Sequence, residues 1–161
     1  MTVSDQNQLI ADWARDIVTQ TAPAELPLFR VKSVEYFKNP DKSLKGQKGK
    51  DNMLGFGAGE AVILVTPYVL IIATQVIKFV TEELSKALAT QSADAIGEIV
   101  KRIFQRPGKK QDDATPISLT REQLAQIYHV AYQTALELHL PDEKAKLLAN
   151  ATVGSLAVVP T

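Results

Sequence analysis

Proton transfer, metal binding and nucleophilic attack each need particular side chains in particular arrangements, and this chain offers few of them. Its two histidines, His129 and His139, stand ten residues apart on one expected helix. That offset turns them onto different faces and excludes the i, i+4 pairing with which a helix grips a metal ion. His129 has Tyr128 and Tyr132 as sequence neighbours, a set that relays protons only where a fold aims all of them at one substrate. No HExxH, no GxSxG and no cysteine occurs, so zinc-protease, serine-hydrolase and thiol chemistry have no motif to rest on.

The acid most out of place is Glu60, the only side chain charged at neutral pH between Asp51 and Lys78. A carboxyl in apolar surroundings holds its proton to higher pH than usual, which makes Glu60 the candidate pH-sensitive acid. Two glycine-rich stretches near it resemble nucleotide motifs and fail on inspection. Gly46-Gln47-Lys48-Gly49-Lys50-Asp51 has Asp where a phosphate loop needs Ser or Thr for magnesium, and its glycines are too close together. Gly55-Phe56-Gly57-Ala58-Gly59-Glu60 puts a carboxylate at the third glycine of a dinucleotide fingerprint, where it would repel pyrophosphate. No cofactor and no metal is therefore expected. Lys42, Lys45, Lys48 and Lys50 could meet anionic head groups, but Asp41 and Asp51 dilute them.

The elements that must position these residues are read from apolar spacing. Leu9, Ile10, Trp13, Ile17 and Val18 mark a helix from about Asp5 to Gln20, with Ser4 as N-cap. Pro23, Pro27 and Pro40 interrupt the next stretch, where one short helix is expected from Ser33 as N-cap to Asn39. Thr66-Pro67 reads as cap and first position of a long helix. From there a helical period runs to Phe104, with Ile77, Val80, Leu84, Leu88, Ile96, Ile99, Val100 and Ile103 on one face. Thr120-Arg121-Glu122-Gln123 forms a capping box that opens a helix to about His139, and Pro141-Asp142-Glu143 opens another to about Val158. The expectation is a mainly α protein with a long central apolar-to-amphipathic helix, about 67–105, and a C-terminal helical hairpin. The domains read as a helical core over 1–105, a Pro/Gly/Lys linker over 106–115 and the hairpin over 116–161, separable by that linker.

Composition allows one sizeable core in 161 residues, 45% of them hydrophobic. Eighteen basic residues balance eighteen acidic ones, which gives no electrostatic ground for nucleic-acid binding. The first residues carry acids where a secretory signal is basic, and a chain without cysteine suits a reducing cytoplasm.

What the pattern does demand is cover for the seventeen uncharged residues Ala61–Ile77. As a helix they span about 25 Å, a little less than a hydrocarbon layer of about 30 Å. Three hosts follow, each with its own function class. A partner protein or a second copy would make the chain a non-enzymatic helical interaction or adaptor protein, the preferred expectation. A bilayer entered by residues 53–80 would make it a membrane-engaging effector, cytoplasmic but membrane-associated. An enzyme without a recognisable motif is the third. On either of the first two, the contact residues would be Phe56, Tyr68, Leu70, Ile71, Ile72, Leu88 and Ile99.

Overall fold

A computed structural model describes residues 3–40, 64–104 and 119–156. The regular elements among them are all helical: α1 Val3–Thr21, a 3-10 turn Pro23–Glu25, α2 Leu26–Lys38, α3 Thr66–Ala87, α4 Ala93–Phe104, α5 Arg121–Glu137 and α6 Asp142–Gly154. The protein is mainly α, as the sequence implies. The basic stretch 41–52, the glycine-rich entry with Phe56 and Glu60, and the linker 106–115 lie outside the described residues.

Helix α3 is the axis of the arrangement and touches α1, α2, α4 and α5. Its first turns are buried on nearly every side, through Thr66, Pro67, Tyr68, Val69, Leu70, Ile72 and Ala73. Farther along, burial narrows to Val76, Ile77 and Val80, while Glu82 and Glu83 face water. An apolar-all-round segment passing into an amphipathic one is what a helix looks like when it enters a bundle and leaves it at the rim.

The start of α3 differs from the expected cap. Thr66 lies inside the helix, and the cap comes from forty residues away. The Glu25 carboxylate accepts from the Val65 N–H at 2.7 Å, from the Thr66 N–H at 2.8 Å and from the Thr66 hydroxyl at 2.6 Å. A negative charge set on unsatisfied N–H groups at a helix N-terminus is favoured by both hydrogen bonding and the helix dipole.

The helix expected over about 67–105 is broken in two. Leu88 ends α3 with φ −119° and ψ 54°, and Ser92 opens α4 by accepting the Ala95 N–H on its hydroxyl at 3.1 Å. A straight helix of that length would run for about 58 Å and carry its far end out of any core this chain can build. The break lets α4 return, so that Phe104 packs against Trp13 of α1 with ring centroids 4.6 Å apart and the rings tilted by 51°.

Two further boundaries differ. Helix α1 already begins at Val3, so Ser4 is not its cap. Helix α2 begins seven residues before Ser33, with a proline at its opening, and Ser33 turns its hydroxyl back onto the Phe29 carbonyl at 2.9 Å. Short polar side chains satisfy themselves this way in mid-helix. Pro40 does end α2: Asn39 before it has left the helical region, with φ −154° and ψ 85°.

The C-terminal hairpin forms as expected. Thr120 and Gln123 make the reciprocal capping box, at 3.1 Å and 2.9 Å. The turn after α5 places His139 in the left-handed region, φ 68°. His139 N–H donates to the Leu136 carbonyl and Leu140 N–H to the Ala135 carbonyl, at 2.9 and 3.1 Å, the paired bonds of a Schellman stop. The hairpin is not left to itself: α5 packs on α3 and α6 reaches α1, where Trp13 Nε1 donates to Ser155 Oγ at 2.6 Å.

Candidate interaction surface

Tyr68, Leu70 and Ile72 are buried within the chain's own core, with Leu70 fully inaccessible. Ile71, Leu88 and Ile99 are half-buried and pack against the same core. The segment expected to need an outside host thus finds much of its cover from α1, α2, α4 and α5. No helix among the described residues is long and apolar enough to cross a membrane. Phe56 and Glu60 fall outside the described residues.

The residues singled out for chemistry are dispersed. His139 serves the backbone turn just described. His129 is exposed and lines a shallow depression with Phe79 and Glu83. Tyr128 and Tyr132 stack at 6.2 Å. The Tyr132 hydroxyl donates to Asp142, whose other oxygen lies 3.2 Å from Lys146 Nζ. That triad clasps α5 to α6 at the surface. The Tyr132 bond holds the Asp142 carboxyl below its ordinary value, while the same carboxylate raises the Tyr132 phenol and the Lys146 ammonium. All three polar ends face solvent, where such contacts contribute little to stability. Among the described residues no group of three or more His, Cys, Asp or Glu side chains is placed to hold a metal ion.

Among the described residues, an exposed apolar stripe lies on α2. Phe29, Ser33 and Tyr36 turn inward, and Tyr36 donates its hydroxyl to Thr74 of α3 at 2.9 Å. On the opposite side Leu28, Val31 and Val34 stand three residues apart along the helix and are 45%, 56% and 50% exposed. Spacing of that kind sets the three side chains in one stripe within about a 120° arc. Pro27, Glu35 and Lys38 flank it.

Beside the stripe, a groove of about 440 Å³ runs between α1 and α2, and Val34 belongs to both. Its apolar walls are Ala11, Phe29, Val34 and Phe37, and its charged rim carries Asp12, Arg15 and Arg30. Gln8 Nε2 donates to Asp12 Oδ1 at 2.9 Å. Arg15 and Arg30 make no ion pair among the described residues.

This surface was not among the contact residues taken from the sequence. Leu28 and Val31 precede the cap expected at Ser33 and Val34 follows it, so that short helix gives the three no common face. Started from Pro27, the same residues separate into an inner face of Phe29, Ser33 and Tyr36 and an outer face of Leu28, Val31 and Val34. Two apolar faces on one short helix are the signal that could have found it. Compared with protein-family models, with curated proteins and with solved structures, the chain finds no match in any of the three.

Proposed function

We propose that the chain is a non-enzymatic helical interaction module, working in the cytoplasm, that receives a protein partner on the outer side of α2. The observation that carries this is the stripe Leu28, Val31 and Val34, about half exposed on a helix whose other face is already committed to the core. Neighbouring apolar side chains left in water along one side of an ordered helix suit a surface that another molecule covers. The neighbouring groove adds a concave feature into which an anchoring side chain fits. The lack of cysteine in the sequence suits the reducing compartment.

The test is site-specific photocrosslinking in native cells. A photoreactive residue at Val31 should give a discrete adduct that the same residue at the exposed position Lys144 on α6 does not. An adduct of twice the chain's mass would identify self-association, and any other discrete mass a different partner. Equal labelling from both positions, or none from Val31, would remove the proposal.

A further inference from the structure

We infer that the groove between α1 and α2 selects an acidic amphipathic segment of another protein, with one apolar side chain seated between Ala11, Phe29, Val34 and Phe37 and carboxylates meeting Arg15 and Arg30. This rests on α2 being the docking face, and it names the chemistry of what docks there. Charge on the rim decides the choice. Arg15 and Arg30 outnumber Asp12 there, and neither guanidinium is joined to a carboxylate among the described residues. Each presents a planar fork of donors that a carboxylate matches with two parallel bonds. The Asp12 carboxylate is engaged by Gln8 at 2.9 Å, which tempers its repulsion of an incoming acid.

Shape points to a helix as the form of the partner. The groove follows one side of α1 through positions 4, 7, 8, 11, 12 and 15, the three-to-four spacing of a helical face. Helix α2 has thirteen residues and is about 20 Å long, which accommodates a partner of three to four turns. The apolar strip of that partner would lie along Val34 and Val31, and its acids would flank the strip on the arginine side.

Three synthetic helical peptides test it, all with leucines at i, i+3, i+4 and i+7 and with flanking positions filled by glutamate, glutamine or lysine. Binding to the full chain is measured by fluorescence anisotropy at low and high salt. The glutamate peptide should bind at least fivefold more tightly than the lysine peptide, with the gap narrowing as salt rises. The double variant Arg15→Glu/Arg30→Glu should reverse that order, and Arg15→Gln/Arg30→Gln should level it. Both residues are exposed, so circular dichroism should report an unchanged helix content. Failure of all three peptides to bind, equal affinity for all three, or an order unmoved by the arginine variants would overturn the inference. A specific Val31 crosslink persisting beside any of those results would leave the docking face standing and discard only its acidic preference.

Discussion

Tyr36 carries a hydroxyl into the seam between α2 and α3, where it donates to Thr74 Oγ1 at 2.9 Å while Thr74 donates to the Leu70 carbonyl at 2.8 Å. Burial raises this phenol above its ordinary value of 10.0, because the low-polarity seam disfavours phenolate. The folded state therefore gains from Tyr36 fully below the unfolded value, and the gain is lost as pH climbs through the raised folded value. Tyr36→Phe should cost about 1 kcal/mol at pH 7 through the lost hydrogen bond. It should also make the decline of stability above pH 10 shallower than in the parent chain, whose other tyrosines and lysines are unchanged. Urea titrations at pH 7, 9 and 11 would show this, and parallel declines in the two proteins would refute it.

At the scale of elements, the Glu25 cap on α3 has the clearest energetic consequence. Glu25→Ala would leave the Val65 and Thr66 N–H groups without their acceptor, and a hydrogen bond to a charged group contributes about 1.5–3 kcal/mol net of its exchange with water. A loss of about 2 kcal/mol in urea unfolding is expected, with Glu25→Gln recovering part of it. A loss below about 0.5 kcal/mol would mean that water caps the helix as well. The same carboxylate shows why elements differ in how far they were legible. Thr120 and Gln123 cap α5 across three residues, and such a local exchange is written in adjacent letters. Glu25 caps α3 across forty residues, and no local pattern records that. Ser92 was a different case: it is a standard cap residue, followed by Asp94 in the first turn of α4, yet the apolar period on either side masked the break. The inward face of α3 was readable because it is long and periodic. The outer face of α2 was not, because a helix misplaced by seven residues hides which side its valines occupy.

Across the whole molecule the N-terminal helix, the apolar axis and the C-terminal hairpin share one core, so a boundary in sequence need not be a boundary in stability. A protease site engineered between Arg106 and Thr115 and then cut should yield two fragments that travel together on gel filtration. Helix α5 lies on α3, α6 reaches α1, and Ala131, Ala135, Ala145 and Leu148 are all buried. Fragments that separate without denaturant would instead establish the hairpin as an independent unit. Trp13 lies at the meeting point, with Phe104 packed against it and Ser155 bound to its indole across 142 residues of chain. During synthesis this places a limit on when folding can finish. The indole can meet Phe104 once that residue has cleared the ribosome, but its nitrogen stays open to water until Ser155, 142 residues after it, has emerged as well. The growing chain must therefore carry its only tryptophan partly uncovered while the residues up to Ser155 are added, which is the interval in which a chaperone would find it.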